Sequence, residues 1–273
     1  MPAGLKYENV TVVQPDQHKD FRFRRAFVQS SYDQRMRDHP LLDYFERIEI
    51  INLVERNDRR QEMLAQLKRL DLSPLPGRVE FFPAQRPTTM GDWPSVGARG
   101  CFLSHYEVLR RARDEGLRNI LVLEDDCDFA PEFVKQQYRL TQALSETAWD
   151  ILYLGHRERV DSNGSISLLA WSRPLMTAHA YAVNGVVLPR LVKHLEKVMH
   201  RPRGHPEGGR QHYDGALSTF RSQNEEIRTV IVVPSLGTQR SSRSDINKNR
   251  WFDRAWGIRS IAEKLRSLKR RLR

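Results

Sequence analysis

The sequence predicts an α/β fold, a mixed and mostly parallel sheet flanked by helices, on three observations. Short β-branched runs recur along the chain, and apolar residues at helical spacing fill the segments between them. One run, Ile120-Leu121-Val122-Leu123, is apolar at every position, as a strand covered on both faces must be.

The elements follow in order. Residues 1–45 are polar and weakly patterned, and read as an N-terminal extension. Arg47 to Leu53 is half-alternating and β-branched, a strand. Asn57 or Asp58 can cap the helix marked by Met63, Leu64, Leu67 and Leu70, and two prolines before Gly77 stop it. Val79–Phe82 is a second strand. After a loop rich in proline and glycine, Phe102, Leu103, Tyr106, Leu109 and Ala112 define a helix face, with Gly116 as its left-handed end. The apolar strand 120–123 comes next and runs into Glu124-Asp125-Asp126-Cys127-Asp128. A helix begins near Pro131, and strands are expected at 149–154, 180–188 and 229–233. In such sheets ligands bind at the carboxyl ends of strands, where the acidic cluster lies.

The chain has 273 residues, enough for one large α/β domain with appendages, and a net charge of +11, which points to an anionic partner. Two cysteines, Cys101 and Cys127, make neither a disulfide framework nor a zinc spacing, so a reducing, cytoplasmic setting is expected. The first residues lack the apolar core of a secretory signal, and no apolar run approaches the ~20 residues that span a bilayer.

Acids crowded directly after a buried strand are costly unless something compensates them. A divalent cation would: Mg²⁺ and Mn²⁺ take oxygen ligands, commonly one or two carboxylates together with substrate phosphates. Alternate side chains of an extended segment share a side, so Glu124 and Asp126 can face one ion, with Asp126 the leading ligand. The competing reading is an acidic loop that caps the next helix or is solvated, and spacing alone does not choose between the two.

Several segments in order resemble glycosyltransferase family 25, the family of lipooligosaccharide and collagen galactosyltransferases. They are Ile51-Asn52-Leu53 with Arg56 and Asp58-Arg59-Arg60, then Gly100-Cys101-Phe102-Leu103-Ser104-His105, then Leu123-Glu124-Asp125-Asp126. Tyr181-Ala182-Val183, Pro234 to Gln239, and Ser244-Asp245-Ile246 match weaker later blocks, so the resemblance covers roughly residues 47–246. It implies a GT-A fold, a UDP-sugar donor such as UDP-galactose, Mn²⁺ or Mg²⁺, and inversion at the anomeric carbon. On it Arg59, Ser104 and His105 become donor contacts, and Glu124 and Asp125 divide metal, ribose and structural duties. Pro83-Ala84-Gln85-Arg86-Pro87 stands where many members carry an Asp-Gly turn, and Asp128 adds an acid to the motif. The family also includes members without activity, so a non-catalytic glycan- or partner-binding protein is the alternative.

Other residues stand on their own pattern. Asn52 follows the first strand and can meet the nucleotide or bond the local backbone. An inverting transfer needs a base, and Asp214 can be that base, a metal-site residue or an N-cap. Gln239, with Arg240 and Arg243, follows the last strand and can close on a diphosphate. Asp150 reads as structural, and Asp128 as a cap or a supporting group. From Trp256 onward, Ile258, Ile261, Leu265, Leu268 and Leu272 share one helical side amid Lys and Arg. Residues 251–273 therefore read as a basic amphipathic tail for the anionic inner face of a membrane, or as a terminal helix packed on the domain. No nucleic-acid-binding module accompanies it, and residues 46–250 form the expected transferase domain.

Overall fold

The computed structural model describes residues 39–240. The basic tail, Arg243 and most of the expected extension lie outside them. The last residues of that extension do not behave as polar margin: Pro40–Tyr44 form helix α1, and Leu41, Leu42 and Phe45 are buried. Tyr44 explains the anchorage, since its hydroxyl donates to the Leu144 carbonyl at 3.1 Å and accepts from the Trp149 indole at 2.8 Å.

The strands are β1 (Arg47–Asn52), β2 (Val79–Pro83), β3 (Asn119–Glu124), β4 (Cys127–Phe129), β5 (Ile151–Tyr153), β6 (Ser167–Ala170), β7 (Ala180–Asn184), β8 (Thr229–Val233) and β9 (Gly237–Gln239). Seven of them form one sheet in the order β2-β1-β3-β7-β5-β8-β6, and β4 pairs with β9 in a separate two-stranded sheet. β2, β1, β3, β5 and β8 run one way, while β7 and β6 oppose them. This mixed, mostly parallel sheet flanked by helices is a Rossmann-like, GT-A-type arrangement.

After α1 come α2 (Asn57–Arg69), α3 (Val96–Asp114), α4 (Pro131–Lys135), α5 (Gln137–Glu146), α6 (Leu188–His200) and α7 (Tyr213–Ser222). Helix α2 starts without a side-chain cap, because Asp58 turns back to Arg56 at 2.7 Å instead. Arg59, Met63 and Leu67 are spaced four apart and share its buried face, which carries Arg59 inward. Helix α3 starts earlier than its glycines suggested, capped by Ser95, whose hydroxyl accepts from the Ala98 N–H at 2.9 Å. Its buried face is rotated from the apolar-only expectation: Ala98, Phe102, His105, Leu109 and Ala112 face inward, and Leu103 and Tyr106 are only partly covered. A histidine on the apolar stripe is what displaced the pattern.

One core joins α3, α6 and α7 to Val122, Tyr153, Tyr181 and Ile231 of the sheet. The expected strand 180–188 stops at Asn184, because Gly185 turns the chain so tightly that its N–H donates to the Arg118 carbonyl at 2.7 Å. An added Cβ there would lie 2.2 Å from the Leu117 carbonyl oxygen. Trp149 and Asp150 fall outside β5, and Asp150 is structural: it accepts from Arg228 at 2.8 Å on each oxygen.

Candidate active site

A cavity of about 550 Å³ opens at the carboxyl ends of β1, β2 and β3. Its floor is the acid cluster. Glu124 ends β3, and Asp125 and Asp126 form the turn into β4, not the extended segment that spacing suggested. All three acids still line the same cavity.

Asp125 is committed to the protein. It accepts from the Asn52 amide at 2.8 Å and from the Arg59 guanidinium at 3.0 Å. Arg59 also lies 3.5 Å from Asp126. Burial pushes the Asp125 carboxyl up, with Asn52 and Arg59 opposing it. Asp126 is pushed up to about 7, first by burial and then by the charge of Glu124. Its Oδ1 is buried and has no hydrogen-bond partner among the described residues. Burial also disfavours charge on Glu124, but the hydrogen bond from His105, with the positive charge of Arg59 behind, holds its carboxyl below the usual range. The Gln239 amide donates to Glu124 Oε2 at 3.2 Å, and Arg157 donates to Gln239 Oε1 at 3.1 Å.

An unpartnered buried carboxylate oxygen beside a second acid fits a hard divalent cation, whose ligands are oxygens. A softer set lies next to it, since one ligand atom each from Cys101, His105 and Glu124 fall within 4.8 Å of one another. Both His105 nitrogens are already engaged, by Glu124 at 3.1 Å and the Tyr181 hydroxyl at 3.0 Å. Burial, with Glu124 nearby, pushes the Cys101 thiol well up and keeps it from being a ready thiolate ligand. Cys101 and Cys127 are both free.

The far wall is 83–87 against α3. Ser104 is buried; its hydroxyl accepts from the Gln85 N–H at 2.8 Å and donates to the Gly100 carbonyl at 2.7 Å. Gly100 permits this approach, since a Cβ there would lie 2.7 Å from the Gln85 carbonyl oxygen. Arg86 and Arg56 line the mouth, Arg86 paired with Glu55.

The expected site residues therefore separate. Asn52, Arg59, Glu124, Asp125, Asp126 and Gln239 converge. Ser104 and His105 sit in the wall with their polar atoms bound to protein groups. Asp214 is half-buried in the first turn of α7, accepts from its neighbour Gly215 N–H at 2.8 Å, and is not among the cavity-lining residues. Asp128 accepts from Gln66 and from Arg240, each at 2.9 Å, and Arg240 also pairs with Glu62. Sequence reasoning missed Arg157, although it lies just past the carboxyl end of β5. It also missed Tyr213, whose ring covers His105.

Residues 80–170 match the model of glycosyltransferase family 25 (LPS biosynthesis protein), a span that includes most of β2, α3 and the acid turn. This stretch is similar to glycosyltransferase family 25. Similar proteins include procollagen galactosyltransferase 2 of Homo sapiens, 32% identical over 138 residues, which are 41% of this chain and 21% of that protein. Another is the inactive glycosyltransferase 25 family member 3 of Homo sapiens, 30% identical over 135 residues, 42% of this chain and 22% of that protein. A glycosyltransferase 25 family member of Anopheles gambiae is 33% identical over 138 residues, 40% of this chain and 22% of that protein. The chain thus spans about a fifth of the length of these relatives. Among the described residues, no helix is long and apolar enough to cross a membrane.

Proposed function

We propose that the chain is an inverting, metal-dependent glycosyltransferase moving a hexose, most simply galactose, from a UDP-sugar to a hydroxyl of a glycan acceptor. One observation carries this reading: the buried, unpartnered Oδ1 of Asp126 beside Glu124, on the floor of a cavity at the strand ends. Asp126 and Glu124 would hold Mn²⁺ or Mg²⁺. When bound, the ion neutralises charge that builds on the departing diphosphate. The protein's own groups do the rest. Asn52 and Arg59 tie Asp125 down and fix the turn, Arg59 and Arg56 put positive charge beside the donor, and Gln239 holds Glu124 from above. The N-terminal turn of α3, with Val96 and Gly97 in the wall, adds partial positive charge toward a diphosphate. Asp214 is the proposed base for the acceptor hydroxyl.

The galactosyltransferase relatives support the donor assignment, and the family model's description supports an acceptor of the lipopolysaccharide type. The basic stripe from Trp256 to Arg273 supports an acceptor held at an anionic membrane surface. The relatives named inactive favour a second reading, a non-catalytic binding protein on the same scaffold. The deciding experiment is hydrolysis of UDP-sugars with and without Mn²⁺, in the absence of acceptor. Mn²⁺-dependent release of UDP from UDP-galactose supports the enzyme, while Mn²⁺ and donor binding without release over hours supports the binding protein.

A further inference from the structure

A line of hydrogen bonds runs inward from the acid turn. Glu124 Oε1 lies 3.1 Å from His105 Nε2, His105 Nδ1 lies 3.0 Å from the Tyr181 hydroxyl, and that hydroxyl lies 2.8 Å from the Tyr213 hydroxyl. The three inner members come from α3, β7 and α7, and each is almost completely shielded from solvent. Tyr213 also stacks on the imidazole, so the ring of His105 can neither tilt nor flip without breaking the core.

The direction of each bond follows from proton counting. An ionised carboxylate only accepts, so Nε2 must carry a hydrogen. Had Nδ1 a hydrogen too, Tyr181 would have to turn its own proton toward Tyr213. The Tyr213 proton would then be stranded, because among the described residues its hydroxyl meets only Tyr181. A stranded buried donor is costly. With Nδ1 bare, every proton is used: Tyr213 donates to Tyr181, Tyr181 to Nδ1, and Nε2–H to Glu124.

We infer that Tyr213 and Tyr181 lock His105 in its Nε2–H tautomer, and that His105 is thereby a positioning residue that aims the Glu124 carboxylate into the cavity. This rests on the reading of Glu124 as a cation ligand. Glu124 ends a strand on a flexible side chain, and a rigid donor on Oε1 with Gln239 on Oε2 removes that freedom before an ion arrives. Partners of this kind orient ligands and raise metal affinity without touching the metal. The role replaces the donor contact that resemblance assigned to His105, since neither ring nitrogen is free for a donor.

The test is ¹⁵N NMR of the full chain labelled at its histidine ring nitrogens, with the His105→Gln spectrum assigning His105 among the nine histidines. Mn²⁺ affinity of each variant is measured in parallel by electron paramagnetic resonance. Wild type should show a neutral Nε2–H ring. Tyr181→Phe should lose that single pattern and bind Mn²⁺ about 10–100-fold more weakly. His105→Gln, whose amide can still donate to Glu124, should keep more affinity than His105→Ala. An Nδ1–H or doubly protonated ring in wild type, or unchanged Mn²⁺ affinity in Tyr181→Phe, overturns the inference. If Tyr181→Phe does not fold, Tyr213→Phe carries the same two readouts. A wild-type chain that binds no Mn²⁺ while His105 shows the Nε2–H ring defeats the cation reading, and the positioning role with it. That result is distinct from a chain that binds Mn²⁺ and is indifferent to Tyr181.

Discussion

The imidazole of His105 lies flat against the phenol of Tyr213, with ring centroids 4.1 Å apart and planes 7° from parallel. Tyr213 opens α7 and Asp214 follows it, so the stack fixes the helix carrying the proposed base to the helix beneath the acid turn. Asp214→Asn keeps an oxygen for the Gly215 N–H and should leave the fold unchanged. A base matters in the transition state, so kcat should fall about 10²–10⁴-fold with donor KM little changed. Steady-state kinetics with UDP-galactose and an acceptor would show it; an unchanged kcat makes Asp214 a first-turn acid and nothing more.

Asp126→Asn should separate stability from activity. The amide keeps the shape and removes a buried charge that Glu124 repels, while Arg59 retains Asp125 at 3.0 Å. The melting temperature of metal-free protein should therefore not fall. Mn²⁺-dependent transfer should drop by about 10²-fold or more, since a cation at this position contributes several kcal/mol to the transition state. Calorimetry and turnover assays on one preparation test both halves, and near-normal turnover at saturating Mn²⁺ removes Asp126 from the ligand set.

Much of this site was legible in the sequence. The apolar run Ile120–Leu123 identified β3, and the acids after it fall at the strand end where the cavity opens. Asn52 and Arg59 emerged as well, one from its place after a strand and one from resemblance. The missed features are all made by tertiary pairing. β4 and β9 are three residues each and exist because they pair with one another. β6 is a short, largely exposed edge strand without apolar alternation. The reversal of β7 leaves no local trace, because Ala180–Asn184 is buried like its parallel neighbours. His105 was named from resemblance as a donor contact, but its place on the buried face of α3 was not foreseen, since only its partners on β7 and α7 explain a histidine on an apolar stripe.

Gly100→Ala tests the cavity wall. The new methyl group would press on the Gln85 carbonyl and the Pro87 ring, both backbone-anchored. Overpacking of this kind costs about 1–3 kcal/mol, and here it would also move the wall that Ser104 holds. Urea denaturation should show the loss of stability, and donor KM should rise; a donor affinity equal to wild type would mean that the wall does not touch the donor.

His194 gives a pH dependence independent of catalysis. It is buried on α6, and its Nε2–H donates to the Ala216 carbonyl at 3.2 Å. Burial pulls its pKa down to about 4, with the Ala216 bond opposing and Arg201 and Lys197 assisting. The unfolded chain binds the proton near pH 6.5 and the folded chain only near 4, so this contribution to stability is lost as pH falls through that window. His194→Gln should flatten the pH dependence of unfolding between about 6.5 and 4 by on the order of 2 kcal/mol. Urea titrations of both proteins across that range measure it, and parallel curves would contradict it.

Deleting residues 256–273 should leave transfer to soluble acceptors intact and release the protein from anionic vesicles. Each Lys or Arg near anionic lipid contributes roughly 1 kcal/mol, and salt should weaken the attachment. Co-sedimentation at low and high salt distinguishes this from a helix that packs on the domain, whose removal would lower the melting temperature and leave vesicle binding unchanged.

The position of β7 also matters while the chain is being made. It lies between β3 and β5, and so joins strands drawn from residues 47–124 to strands drawn from residues 151–233. Until Asn184 has left the ribosome, the apolar flank of Ile120–Leu123 has no neighbour on that side, and such an open edge invites pairing with another nascent chain. Fragments ending before residue 180 should therefore need chaperone protection that the longer chain does not.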